Sequence, residues 1–389
     1  MNKAYSIVWN SSRQAWVVAS ELARGHGFVL AKNTLLVLTV ASTVGNAFAQ
    51  TQTCAKDCNS HGGTVSSSDI QYVLSTGETH NIVVSGKGKQ VVHSGGKTYS
   101  TVVHDKDGSQ VVGDKGVAIN TTVNAGAFQR VSAGGSATGT TLSGGNQNIY
   151  TGGKASGTLV SSGGKQTISA GGEASGTQIF DGGVVNVSGG KSVNAIINDG
   201  GNQYIYSNGE ATGATVNTSG FQRVSAGASA TGTTLSGGNQ NIYTGGKASG
   251  TLVSSGGKQT ISAGGEASGT QIFDGGVVNV SGGKSVNAII NDGGNQYIYS
   301  NGEATGATVN TSGFQRVSAG ASATGTTLSG GNQNIYTGGK ASGTLVSSGG
   351  KQTVYAGGVA SGTQIFDGGM INVSGGTVSG ASVNLNGRL

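Results

Sequence analysis

The sequence predicts an all-β chain, a right-handed parallel β-helix (β-solenoid) of 18–20-residue coils, and three observations predict it. A 93-residue text that opens at Phe128 opens again at Phe221 and at Phe314. Within each block lie five shorter units of 18 or 19 residues, most of them ending in Gly-Gly. The composition, 75 Gly and no Pro in 389 residues, provides corners at short intervals and removes no strand N–H.

Block 128–220 recurs as 221–313 with one change, Gly135 against Ala228, and the third copy diverges after Gly350. Units 146–164 (NQNIYTGGKASGTLVSSGG) and 165–183 (KQTISAGGEASGTQIFDGG) share the pattern x-Q-x-[VI]-x-x-G-G-x-A-[ST]-G-T-x-[VIL]-x-x-G-G. Each holds two short alternating segments, in which Gln147 shares a face with Ile149 and Thr158 with Val160. Neither is long enough for a helix. A unit this small cannot enclose a core alone, so its apolar side chains are buried only by stacking coils. Two aliphatic ladders are expected inside: Val131, Ile149, Ile168, Val187 and Ile205, and Leu142, Val160, Ile179, Ile197 and Val216. Gln129, Gln147, Gln166 and Gln203 recur at one position, where amides can bond along the stack. With divergent units at 89–108 and 109–127, roughly sixteen coils follow residue 89, a rod of about 75 Å at about 4.8 Å per coil.

Collagen is excluded by the missing three-residue period and missing proline, and disorder by regularly spaced Val, Ile and Leu with only 10% charged residues. Residues 1–49 carry Lys3, Arg13, Arg24 and Lys32 against Glu21, so removing them halves the net charge of +6. With no Lys/Arg run beyond them, nucleic acid is not an expected partner.

The first 49 residues read as a signal segment: a long polar stretch, an apolar run over 34–44 and Ala47-Phe48-Ala49, with cleavage between Ala49 and Gln50. The run is too short to span a bilayer. Residues 50–88 are expected to form an N-terminal cap region, with Cys54 and Cys58 oxidised to a disulfide in a tight loop, and 89–389 the β-helix. No cofactor or metal site is expected.

Met1-Asn2-Lys3, Tyr5, Val8-Trp9-Asn10, Trp16-Val17-Val18 and Ser20-Glu21-Leu22 resemble the extended signal region of large Gram-negative autotransporters. The coils, with Ala-Ser-Gly-Thr or Ala-Thr-Gly-Thr at their middle, resemble the self-associating autotransporter adhesins of the AIDA-I, TibA and antigen 43 group. The resemblance implies a β-helical passenger exported through Sec to the periplasm and then, by type V secretion, to the cell surface or beyond. It implies adhesion, autoaggregation between neighbouring cells, contact with host surface or matrix, and O-heptosylation by a cytoplasmic heptosyltransferase. Family members continue into a translocator barrel; the sequence up to Leu389 shows no amphipathic strands of that kind. It reads as passenger alone, whether fragment, truncated frame or a passenger split from its translocator.

On the motif Ala-[Ser/Thr]-Gly-Thr, expected to place a hydroxyl on a small exposed loop, the candidate glycosylation residues are Ser156, Ser175, Thr212, Ser249, Ser268, Thr305, Thr324, Ser342 and Ser361. Lys154, Lys165, Glu173, Lys191, Asp199 and Glu210 alternate in sign along one block and are the candidate self-association face. The alternatives are a periplasmic or released structural solenoid from a truncated autotransporter, and a β-helical enzyme acting on polysaccharide. An enzyme is not expected: Asp181, Asp199, Asp274 and Asp292 belong to repeated units, whereas catalysis needs one asymmetric constellation. The histidines beyond the signal, His61, His80, His93 and His104, fall in the divergent stretch, where an unrepeated site would lie. Asp-Gly-Gly in two units of five lacks the regular carboxylate spacing of calcium solenoids.

Overall fold

Alternation of period two over a few residues, cut by glycine, makes short strands that are stable only when paired on both sides. The computed structural model, which describes residues 5–10, 15–20, 51–55 and 58–384, is built of such strands. It divides into two units, Met1–Ala41 and Ser42–Leu389. In the first, β1 (Tyr5–Asn10) and β2 (Ala15–Ser20) pair antiparallel, with Trp9 in register with Trp16. The expected cleavage position, Ala49 and Gln50, lies outside the described residues.

In the second unit every coil contributes three strands, as in Asn146–Ile149, Lys154–Ser156 and Leu159–Ser161. Each pairs in parallel with its counterparts one coil before and one coil after. Three sheets of eighteen strands result, which we call first, second and third in the order the chain visits them. Their seventeen steps make a rod of about 80 Å at about 4.8 Å per step. No helix occurs among the described residues.

The coils start earlier than the repeats do. Within residues 50–88, expected as a cap region, the described residues 51–55 and 58–88 form the first two coils, with Thr51–Cys54, Asn59–His61 and Thr64–Val65 pairing under Ile70–Val73, Glu78–His80 and Val83–Val84. Cys54 and Cys58 are joined in a disulfide across the first corner. Cys54, 4% exposed, stands in register with Val73 and heads the first aliphatic ladder. A small apolar side chain serves there as well as valine does.

Both expected ladders run down the interior. Val131, Ile149, Ile168, Val187 and Ile205 line the first sheet, Leu142, Val160, Ile179, Ile197 and Val216 the third, all fully buried. The second sheet, opposite them, offers only small side chains, Ala137, Ala155, Ala174, Ser192 and Ala211. That asymmetry lets branched side chains of two sheets fill a narrow core without a third competing for space.

Buried amides cross-brace each coil. Gln147 Nε2 donates to Gln129 Oε1 of the coil before at 2.6 Å, while Gln147 Oε1 accepts from Gln166 Nε2 at 2.7 Å and from Thr158 Oγ1 of its own coil at 3.2 Å. The buried threonine of the Gly-Thr step therefore ties the start of the third sheet to the first. Where the ladder breaks, three residues change together. In coil 184–201, Val185 stands at the glutamine position and Ala195 at the threonine position, so donor and acceptor vanish as a pair. Ser192 replaces the small alanine of the second sheet, and its Oγ accepts from Gln203 Nε2 at 2.9 Å, the acceptor that Val185 cannot supply. No buried side-chain nitrogen or oxygen lacks a partner among the described residues.

The paired glycines do different jobs. In Ser162-Gly163-Gly164, Ser162 (φ 52°) and Gly163 (φ 76°) make the left-handed corner. Gly164 is needed for proximity, since a Cβ there would sit 2.6 Å from the Leu142 carbonyl oxygen of the coil before.

Two predictions follow from this packing. Gln240→Val strips Thr251 Oγ1 and Gln259 Nε2 of their acceptor and is expected to cost about 1–3 kcal/mol. Adding Thr251→Ala and Ala248→Ser reproduces coil 184–201 and should restore most of it. Hydrogen exchange in strand Lys258–Ser262 reads the local opening free energy, and a triple variant no better protected than the single one contradicts the bracing. Gly246→Ala, whose Cβ would lie 2.4 Å from the Val224 carbonyl oxygen, should disrupt its coil. Gly250→Asn should be nearly neutral, because Asn194 already occupies the equivalent corner at φ 52°. Comparing the two melting curves checks this.

Candidate functional site

Because strand positions alternate in and out, each sheet displays two outward columns, and the three sheets carry different chemistries. On the second sheet the first strand position runs Lys154, Glu173, Lys191, Glu210, Ser229, in register coil by coil. The series then repeats from Lys247. Neighbours pair within the rod: Lys154 with Glu173 at 3.9 Å, Lys191 with Glu210 at 3.3 Å and Lys284 with Glu303 at 3.4 Å, all well exposed. Solvent screening leaves each such pair worth about 0–1 kcal/mol.

Two of the six residues expected on one self-association face lie elsewhere. Lys165 opens a strand of the first sheet, and Asp199 sits at the corner between the third sheet and the first. Residues that alternate in sequence turn with the coil, so their separation along the chain does not tell which sheet they reach.

The candidate glycosylation residues form the second outward column of the same sheet. Ser156, Ser175, Thr212, Ser249 and Ser268 close their strands two positions after the Lys/Glu column, and Thr305, Thr324, Ser342 and Ser361 continue it. They were expected on a loop; they end strands instead, because the chain turns only at the following glycine, such as Gly157 at φ 61°. Thr138 and Thr231 belong to the column and bond to Ser156 at 3.1 Å and Ser249 at 3.2 Å. The Ala-Thr-Gly-Thr text at 137–140 and 230–233 was their signal. The second threonine of that text points inward and is buried, as Thr140 and Thr233 show.

Towards the N-terminus aromatic rings replace the hydroxyls. His61, His80 and Tyr99 stack face to face, with centroids 4.5 and 4.6 Å apart. His104 Nδ1 lies 2.9 Å from an Asp105 carboxylate oxygen, and that hydrogen bond holds the exposed Asp105 below the usual carboxylate pKa. No group of three or more metal-ligating side chains forms among the described residues. Asp181, Asp199, Asp274 and Asp292 all occupy corners before first-sheet strands, in two adjacent coils of each five-coil block. The third sheet carries no charged side chain in its strands and exposes Leu159, Ile196 and Ile289, with Phe273 and Phe366 exposed immediately after its strands, each at 37–38%.

Comparison with known proteins places this architecture. Residues 1–50 match the extended signal peptide of the type V secretion system, and 183–239 and 335–387 match the adhesin of bacterial autotransporter system, probable stalk. A crystal structure of a TibC-catalysed hyper-glycosylated TibA fragment, residues 55–350, superposes with a TM-score of 0.52 at 35% identity, covering 75% of this chain and 98% of that one. The chain belongs to the AIDA-I/TibA family of autotransporter passengers. The autotransporter adhesin AIDA-I of Escherichia coli is 69% identical over 75 residues, 19% of this passenger but 6% of AIDA-I, so the match spans a small part of that relative. The signal segment makes the passenger an exported protein, routed through Sec to the cell surface or the exterior.

Proposed function

We propose that the passenger is a non-enzymatic adhesive rod that joins bacteria to one another, and that the second sheet is its working face. The observation that carries this is the Lys-Glu-Lys-Glu-Ser column, which repeats every five coils. A rod shifted by one coil against another brings opposite charges together at three of the five positions of each block. One such contact contributes a few tenths of a kcal/mol, but the repeat supplies many in fixed register, and their sum sets the affinity. Screening by salt weakens all of them together. Relatives that match the chain are named as adhesins, which supports the same reading.

Neutralising Glu173, Glu210, Glu266 and Glu303 to Gln should reduce self-association at low salt by at least tenfold. Lys165→Gln, a charge removed from another sheet, should leave it unchanged. Sedimentation of the purified passenger and settling of cells that display it both read this, and clumping that survives the glutamate changes intact refutes the face.

The hydroxyl column is the site we propose for O-heptosylation; a hyper-glycosylated TibA fragment of the same fold supports it. The sugars would stand on the same strands as the charges, about two residues or 7 Å away. Glycan load and charge replacement should therefore be non-additive: dense glycosylation is expected to shrink the effect of the Glu→Gln changes. Intact-mass measurement of passenger exported with a heptosyltransferase should show heptose increments that fall when Ser156, Ser175 and Thr212 become Ala; an unchanged mass rules these positions out.

A further inference from the structure

The first sheet has a charge pattern that neither self-association nor glycosylation uses. None of its eighteen strands contains Asp or Glu. Its outward positions hold Arg130, Arg223 and Arg316 in one column and Lys89, Lys165, Lys258 and Lys351 in the other. No ion pair forms at any of the seven among the described residues, whereas Lys97, Lys154, Lys191 and Lys284 of the second sheet each pair with a glutamate of the adjacent coil. The corner aspartates border the lysine edge of this face; the arginine column lies two residues further along the strands, towards its middle.

Around Arg223 and Arg316 the neighbours are aromatic or amide side chains. Asn186, Tyr204, Arg223 and Asn241 stand side by side on four successive coils, and 93 residues later Asn279, Tyr297, Arg316 and Asn334 repeat them. Arg223 lies over the ring of Tyr243 at 4.5 Å and Arg316 over Tyr336 at 4.4 Å. A guanidinium that meets a ring through its charge spends no N–H donor on a carboxylate, so its fork is available for a two-pronged bond to a carboxylate or sulfate. Beside Arg223 the surface dips into an open recess of about 280 Å³ lined by Asn186, Tyr204, Tyr206 and Ser225.

We infer that this face binds acidic polysaccharide chains, lying lengthwise along the rod. A cation occurs every two or three coils, about 10–14 Å apart at about 4.8 Å per coil. Duplex DNA carries a charge every ~1.7 Å and is held by dense basic surfaces. A sparse row of cations set among Asn, Tyr, Ser and Thr suits a ligand with sparse anions and many hydroxyls. The five-coil repeat gives a long, regular ligand several equivalent footholds, so weak contacts act together. This inference does not depend on self-association through the second sheet, and its test uses different residues.

The purified passenger is passed over immobilised heparin, hyaluronan, uncharged dextran and duplex DNA by biolayer interferometry at several salt concentrations. Heparin and hyaluronan are expected to bind and to weaken as salt rises, with dextran silent and DNA at least tenfold weaker than heparin. Replacing Arg130, Arg223 and Arg316 by Gln should raise the Kd for heparin tenfold or more. Replacing Lys154, Lys191 and Lys284 by Gln removes the same net charge from the second sheet and should change it less than twofold. An Arg→Lys version of the first set keeps the charge but loses the planar fork, and should fall between wild type and the Gln set; circular dichroism confirms that each variant keeps its strands. Equal losses in the two Gln sets, DNA binding as tight as heparin, binding to dextran, or no retention of either acidic glycan would each overturn the assignment.

Discussion

Parallel pairing without slip between successive coils is the constraint on which the rest of the molecule depends. A displacement by one residue would turn Ile149 and Gln147 outward together and press Asn148 into the core. The buried amides make that costly, because a chain of bonds at 2.6–2.7 Å from Gln110 through Gln129 and Gln147 to Gln166 closes only when like stands over like. The close-approach glycines add a steric lock: Gly164 over Leu142 and Gly183 over Val160 leave no room for a Cβ, so the corners also admit one register. Apolar ladders alone would tolerate sliding, since one methyl packs on another with little preference. The polar column inside the core is what specifies the stack.

The same constraint organises the surface. Once every position stacks on its own kind, a residue type becomes a column and a column becomes a face. The second sheet collects compensated charges and hydroxyls, the third collects uncharged and apolar groups, and the first collects unpaired cations with aromatics. Tandem duplication then multiplies whatever one block displays, at five-coil intervals. The core accepts this without adjustment because each coil touches only its neighbours. Near the N-terminus the pattern departs from repetition, with Cys54 substituting in the aliphatic ladder.

Correlated changes within coil 184–201 show how strictly the interior is read. Losing Gln for Val185 is tolerated only with Ala195 in place of the threonine and Ser192 in place of the alanine, three positions that look unrelated along the chain and meet at its axis. Replacing the glutamine alone would leave the threonine Oγ1 and the next glutamine's Nε2 without their acceptor, whereas alanine at the threonine position is compatible with a glutamine, as Ala214 beside Gln203 shows.

Much of this was legible in the sequence by itself. Alternation put Val131, Ile149 and Ile168 inside together with their glutamines, the period set coil length, and glycine pairs marked the corners, because these are local properties of a few bonded residues. The signal segment was likewise readable from consecutive text. What only the tertiary structure decided was which distant residues share a surface. Lys165 and Asp199 leave the face of Lys154, Glu173, Lys191 and Glu210 because a coil turns through three sheets, and a sign alternation along the chain says nothing about direction around the axis. The hydroxyls of Ser156 and its equivalents end strands because each chain reversal waits for the next glycine. Residues 50–88 hid their coils because pairing there is carried by backbone bonds, which persist after the side-chain repeat has drifted beyond recognition.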